Sequence, residues 1–305
     1  MEPYLFTSDI AGNLLQWSIY LNQFDKNPKS ISLHCLTNYE KSTKEKGNIE
    51  QIKISPNNEY LLSCGGIINN KSHKNQPGSD PRKGELIAPK TISTKGFVNQ
   101  YSLKTKSLIK KYEFNEIHNI KAMVCTNDSK YLFVGTLNGD LYQISILTNQ
   151  IIEIYKKIHT RWLIGLTSTY DNRYLFTFDY KGVLKQWSLS SVISPGSKQL
   201  LSIRDYGKVH PTMILSLAIT SDSQYLYTAD GNGILMQWSI QKKRLQKNFG
   251  QISRMPIHTI KICKAGRWLY LYDMLGLIRI LNLKSSKILK AKTFAGKNAK
   301  TLCLL

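Results

Sequence analysis

The sequence predicts an all-β fold of repeated four-stranded antiparallel sheets, and three observations carry that expectation. Apolar residues fall in short alternating runs rather than at helical spacing, and 10% of the 305 residues are aromatic, 17 of them tyrosine. One hairpin-like stretch recurs five times without gaps: YLFTSDIAGNLLQWSI from Tyr4, YLFVGTLNGDLYQISI from Tyr131, YLFTFDYKGVLKQWSL from Tyr174, YLYTADGNGILMQWSI from Tyr225 and WLYLYDMLGLIRILNL from Trp268. A sixth copy is split, with YLLSCGG from Tyr60 as its first half and GFVNQYSL from Gly96 as its second.

Each element of the repeat has a local cause. A glycine stands eight residues after the leading aromatic in every ungapped copy (Gly12, Gly139, Gly182, Gly233 and Gly276), where a tight hairpin turn needs positive φ. In the split copy Gly96 precedes Tyr101 by five, as Gly182 precedes Trp187. Thirteen residues after the leader comes a large strand-favouring side chain: Trp17, Ile144, Trp187, Trp238 or Leu281, with Tyr101 in the split copy. Upstream of the hairpins lies another strand ending in a polar turn, as in IQIKISPNNE and ILSLAITSDSQ. Downstream lies a further strand, as in SLIKKYEF and QIIEIYKKI. The resulting unit of four strands usually spans 43 to 51 residues and cannot bury both faces alone, so units must stack. Radial stacking gives a β-propeller.

On these residues the chain resembles the WD40 family over nearly its whole length. The period, the SPNNEYL and TSDSQYL turns and the late tryptophan carry the resemblance. The tryptophan is followed by Ser18, Ser188 or Ser239 rather than by aspartate, and the residue before the turn glycine is Ala11, Asn138, Lys181, Asn232 or Leu275. The expected architecture is a single propeller over 1–305 with six blades, seven being the alternative. The chain starts in a second strand at Tyr4, and KNAKTLCLL at the other end reads as a first strand that completes the N-terminal blade and closes the ring.

Acidic residues recur inside the hairpins. Asp9, Asp179, Asp230 and Asp273 all stand five residues after the leader, and only Thr136 breaks the series among the ungapped copies. Histidines recur at the heads of first strands (His118, His159, His210 and His258), and His159 and His210 each precede an aspartate by twenty residues. The expectation is a structural pair in each blade: His159 with Asp179, His210 with Asp230, His258 with Asp273. A buried carboxylate needs such a partner. The resemblance implies a histidine bonding a serine on the second strand, and the aspartate is read as standing where that serine would be. A device repeated in blade after blade is not one active site.

No catalytic motif is visible: there is no G-x-S-x-G, no H-E-x-x-H and no phosphate loop, and GGIINNK at 65–71 precedes no helix pattern. A non-enzyme with no cofactor, no metal and no small-molecule substrate is therefore expected. Cys35, Cys64, Cys125, Cys263 and Cys303 are dispersed in apolar runs and read as reduced core residues. The longest apolar run, TMILSLAIT, is far short of a membrane span, and MEPYLFTSD lacks the features of a secretory signal, so an intracellular, cytoplasmic protein is expected.

The charge is strongly positive, with 42 basic against 20 acidic residues. Such a field favours anionic partners, although lysines scattered on strand faces serve solubility alone. The copies differ most at the insertion of about 66–95, with six Lys or Arg residues, two acids and three prolines. The loop 38–48 leads into the same blade, and after Asp273 no acid occurs. One basic interaction face is predicted across the last, first and second blades: Lys41, Lys44, Lys46, Lys71, Lys74, Arg82, Lys83, Lys90, Lys95, Lys297 and Lys300. The functional expectation is a scaffold or adaptor for protein–protein interaction, as a subunit of a larger complex. The alternative is a propeller that binds an anionic surface, either RNA or acidic tubulin tails.

Overall fold

The computed structural model describes residues 4–8, 14–21, 31–39, 48–68, 94–114, 120–193, 199–263, 266–275 and 277–293. They form a β-propeller of small antiparallel sheets in chain order. Sheet I holds β1 (Tyr4–Ser8), β2 (Leu14–Leu21) and β3 (Ile31–Asn38). Sheet II holds β4 (Asn48–Ile54), β5 (Tyr60–Ile68), β6 (Thr94–Ser102) and β7 (Leu108–Phe114). Sheet III holds β8 (Ala122–Cys125), β9 (Tyr131–Gly135), β10 (Leu141–Ser145) and β11 (Gln150–Tyr155). Sheet IV holds β12 (Leu163–Ser168), β13 (Tyr174–Asp179), β14 (Val183–Ser188) and β15 (Leu201–Lys208), with the short helix α1 (Ser190–Ile193) after β14. Sheet V holds β16 (Ile214–Ile219), β17 (Tyr225–Asp230), β18 (Ile234–Ser239) and β19 (Arg244–Gln251). Sheet VI holds β20 (Ile257–Ile262), β21 (Trp268–Asp273), β22 (Leu277–Asn282) and β23 (Ile288–Thr293).

The expected count of six or seven four-stranded blades is corrected to five among the described residues, because sheet I has three strands. β1 aligns with the second strands of the other sheets, and the segment expected to supply a first strand for sheet I lies outside the described residues, as does the ring closure. The insertion is also narrower than expected. Gly66 pairs with Gly96, Ile67 with Lys95 and Ile68 with Thr94, so β5 and β6 form a long ribbon and only 69–93 lies outside the description. Gly96, aligned above with the turn glycines, is therefore an extended ladder residue.

The core is divided among the seams between neighbouring sheets. Five clusters of buried residues occupy the seams I–II, II–III, III–IV, IV–V and V–VI. Strand alternation explains the division: on β13, Leu175 faces sheet III while Phe176 and Phe178 face sheet V. The first strands β4, β8, β12, β16 and β20 are successive neighbours, with β1 beside β4.

The turns between first and second strands add rungs across these seams. Ser55, Thr126, Thr169 and Thr220 each accept the N–H of the leading tyrosine five residues on (3.0 Å in each case), and Cys263 Sγ takes the same place before Trp268 (3.2 Å). Asn58, Ser129, Asn172 and Ser223 occupy the left-handed position of these turns. Three of their side chains accept an N–H from the turn of the preceding sheet: Asn57 to Ser129 (3.0 Å), Asn127 to Asn172 (2.8 Å) and Tyr170 to Ser223 (3.0 Å). In sheet VI that position is Gly266, which has no side chain to accept.

Candidate functional site

Antiparallel order puts the loops leading into first strands and the turns between second and third strands on one face. On that face the recurring aspartates shape the turns. Asp179 Oδ1 accepts the N–H groups of Lys181 (2.9 Å) and Val183 (3.0 Å). Asp230 Oδ1 does the same for Asn232 (3.0 Å) and Ile234 (2.8 Å), and Asp273 Oδ1 for Leu275 (3.1 Å) and Leu277 (3.0 Å). Gly139, Gly182 and Gly233 close their turns at φ of 81°, 81° and 74°. A Cβ on Gly139 would lie 2.0 Å from the His159 carbonyl, so glycine also lets the leading loop of the next sheet dock.

The second carboxylate oxygen faces a histidine in two sheets. His159 Nδ1 lies 3.4 Å from Asp179 Oδ2, and His210 Nδ1 lies 3.3 Å from Asp230 Oδ2. The angles leave both Nδ1 atoms without a well-formed hydrogen bond, so the contact is mainly electrostatic. On the other side of the ring, His159 Nε2 is 2.7 Å from Thr177 Oγ1, which accepts the Trp187 Nε1–H at 2.9 Å. His210, Thr228 and Trp238 repeat this at 2.7 and 3.0 Å. A carboxylate beside Nδ1 favours the tautomer protonated there, so Thr177 donates to Nε2 and the chain runs from Trp187 through Thr177 and His159 to Asp179.

Two expectations change here. The hydroxyl on the second strand is Thr177 or Thr228, two residues before the aspartate, and the aspartate does not stand in its place. The pairing of Asp273 with His258 is also corrected. His258 lies exposed on β20, while Asp273 Oδ2 accepts from Ser253 Oγ (2.9 Å) and Arg279 Nη1 (2.6 Å). Ser253 is the residue twenty before Asp273, where His159 and His210 stand relative to their own aspartates. His258 stands five residues beyond that position, on β20 itself.

The repeats held a signal for the threonines. Three residues after the leader, Thr7, Thr177 and Thr228 occur in the copies that have Trp17, Trp187 and Trp238. Val134 and Leu271 occur in the copies that have Ile144 and Leu281. In the five ungapped copies hydroxyl and indole N–H are kept together or replaced together, as a bonded buried pair favours, while the split copy has Ser63 with Tyr101.

Burial alone would raise the Asp179 and Asp230 carboxyls. The histidine side chains, followed by the Val183 and Ile234 amides, outweigh burial and hold both below the ordinary value of 3.8. Burial likewise opposes Asp273, and Arg279 above all, then the Leu277 amide and Ser253, hold it below 3.8. The Asp–His–Thr order resembles a catalytic relay, but His159, Thr177 and Asp179 are 1%, 0% and 2% exposed and the group recurs unchanged one sheet on. It fastens the leading loop to the hairpin and carries the turn that the face presents.

The residue that follows the large side chain of each third strand has a comparable role at the opposite face. Ser102, Ser145, Ser188 and Ser239 each accept the N–H three residues on, at 3.1 to 3.3 Å, and Asn282 does so at 2.9 Å. A hydroxyl thus caps the turn into the fourth strand.

The described loops of the candidate face carry exposed Lys121, Lys156, Lys157, Arg161, Lys181 and Arg254. Their one acidic residue apart from the turn aspartates is Asp140, buried and accepting the Lys157 N–H at 2.7 Å. Exposed apolar residues there are Trp162, Tyr180, Met274 and Leu275. The turns of the opposite face instead expose Glu59, Asp128, Asp171 and Asp222. Of the basic face predicted from sequence, Lys95 is half-buried on β6; Lys41, Lys44, Lys46, Lys71, Lys74, Arg82, Lys83, Lys90, Lys297 and Lys300 lie outside the described residues. A surface cavity of about 490 Å³ is lined by Ser253, Arg254, Asp273, Leu275 and Arg279 among others. Among the described residues no group of three His, Cys, Asp or Glu is placed to hold a metal, and no helix is long and apolar enough to cross a membrane. Neither the protein-family models nor the curated proteins include a match to this chain.

Proposed function

We propose that the protein is a divergent WD40-like propeller acting as a non-enzymatic scaffold. It binds protein partners through the face of leading loops and second-to-third-strand turns, as a subunit of a larger complex. One observation carries this reading: apolar side chains are held outward there, Tyr180, Met274 and Leu275, on turns pinned by buried aspartates. A rigid turn lowers the ordering cost of binding, and exposed apolar groups supply contact area. The Trp–Thr–His–Asp networks support the WD40-like assignment. Fold analogy adds to this observation, since propeller faces commonly serve as docking surfaces, and the function itself is argued from the exposed turns. Free thiols at Cys64, Cys125 and Cys263 suit the cytoplasmic setting that belongs to the same proposal.

The net charge of +22 and the exposed cations of this face favour a second reading, an anionic partner such as RNA or an acidic tubulin tail. Affinity purification from native extract, with and without nuclease and at two salt levels, separates the two. Protein partners retained after nuclease by wild type and lost by Met274→Glu/Leu275→Glu support the scaffold. Partners indifferent to that substitution remove this face from the proposal.

A further inference from the structure

Trp162 and Tyr180 are the aromatics that sheet IV exposes on the candidate face, Tyr170 being exposed on the opposite one. They are 50% and 46% exposed, whereas Trp187 is buried in its network. Their ring centroids are 5.2 Å apart with planes at 54°, and the Tyr180 N–H donates to the Trp162 carbonyl at 2.9 Å. The fold does not ask for aromatics here. The residue before the first strand is Lys121, Met213 or Pro256 in sheets III, V and VI, and the residue after the aspartate position is Leu137, Gly231 or Met274. Both rings sit on fixed supports: Trp162 adjoins buried Leu163, and Tyr180 opens the turn held by Asp179.

We propose that Trp162 and Tyr180, with Arg161 and Lys181, form a binding site for single-stranded nucleic acid, the rings stacking on bases and the cations meeting phosphates. Every base has a π-face, so exposed aromatic faces inside a positive field bind a single strand with little sequence preference. Arg161 and Lys181 are each adjacent in sequence to one ring and exposed, and Lys121, Lys156 and Lys157 extend the positive field across the III–IV seam. An exposed carboxylate would repel the phosphates, and the described loops of this face carry none. The shape favours bases over a peptide anchor. An aliphatic anchor needs a recess, and the two rings line neither the cavity at Ser253 and Arg279 nor the smaller one at Lys53 and Tyr170. The rings already touch each other, so bases stack on their outward faces and not between them.

The site rests on the anionic-partner reading, and it shares with the scaffold reading the working face and the Tyr180 side chain. Fluorescence anisotropy with labelled U15 and A15 oligoribonucleotides, on the full chain, tests it. Both strands bind, and log Kd rises with log salt at a slope of about 2 to 3, as for three or four phosphate contacts. Trp162→Ala and Tyr180→Ala each weaken binding about tenfold to a hundredfold, from the loss of one stacked base. Trp162→Phe keeps a ring and stays within about threefold, while Lys104→Ala on the opposite face changes nothing. Melting curves establish that the alanine variants fold; if Trp162→Ala does not, Trp162→Phe and Tyr180→Ala decide. No binding of either strand, binding indifferent to the rings, or equal binding of a duplex overturns the proposal. Displacement of U15 by polyglutamate with the same ring dependence overturns it in favour of an acidic protein segment. If the oligonucleotides fail while nuclease-resistant partners still need Met274 and Leu275, the scaffold reading stands without this site.

Discussion

Replacing Thr177 by valine tests the network that carries the candidate face. Valine matches threonine in volume, so no cavity opens, and the change is confined to one hydroxyl. That hydroxyl serves two buried partners, the Trp187 Nε1–H at 2.9 Å and His159 Nε2 at 2.7 Å. Both lose it at once, and neither has water to turn to, His159 being 1% and Trp187 8% exposed. A buried polar group left unpaired costs about 1–3 kcal/mol, so two of them cost roughly 2–6 kcal/mol, against about 1 kcal/mol for Thr177→Ser. Urea unfolding of the purified chain, followed by circular dichroism, measures the loss as a shift in midpoint at constant slope. The companion variant is Trp187→Phe, which removes the N–H. In the double variant one orphan vanishes, so the loss is smaller than the sum of the single losses by about 1–2 kcal/mol. A Thr177→Val protein as stable as wild type, or strict additivity in the double variant, refutes the shared-hydroxyl reasoning.

Other outcomes follow from the same geometry. Asp179, Asp230 and Asp273 have folded pKa values below the ordinary 3.8, so their contribution to stability is full above that value and is lost as pH falls through the folded values. Melting temperature is therefore insensitive to these groups from pH 7 to about 5 and drops below about pH 4; a chain equally stable at pH 3 contradicts the assignment. Arg279→Met leaves the Asp273 carboxylate buried without its cation, costs about 3 kcal/mol, and moves the onset of acid unfolding to higher pH. Gly266→Asn restores the missing rung between sheets V and VI. Gly266 is already at φ of 66°, an added Cβ meets Ser221 Oγ at 3.5 Å, and asparagine tolerates this region, so stability rises by about 0.5–1 kcal/mol in thermal melts.

Much of the fold was legible because hairpin chemistry is local. Glycine at a fixed offset marks a turn wherever it stands, and Gly139, Gly182 and Gly233 all have positive φ. The long ribbon of β5 and β6 was not legible, because the alternation of Gly66–Ile68 against Thr94–Lys95 is too short to separate strand from loop. The threonines of the networks were less legible than the aspartates, although both recur, because threonine is an ordinary strand residue while a buried carboxylate demands a partner. His258 differs for another reason: it lies on β20, fifteen residues before Asp273, whereas His159 and His210 stand in leading loops twenty residues before their aspartates. Trp162 could not be told from a core residue, since exposure of one ring depends on where the neighbouring loop passes.

The way hydroxyl and indole travel together bears on how the chain came to differ from copy to copy. Two sheets retain the bonded pair, at Thr177 with Trp187 and Thr228 with Trp238, and two have exchanged both members for hydrocarbon, at Val134 with Ile144 and Leu271 with Leu281. Each end point is comfortable, but a chain changing one residue at a time must pass through an orphan. Sheet II shows what such a halfway form looks like: Ser63 keeps a buried hydroxyl with no partner, opposite a strand where tyrosine has replaced tryptophan. Diverging repeats on this scaffold are therefore expected to drift in coupled steps, so that the history of one position is readable only beside that of its partner ten residues away.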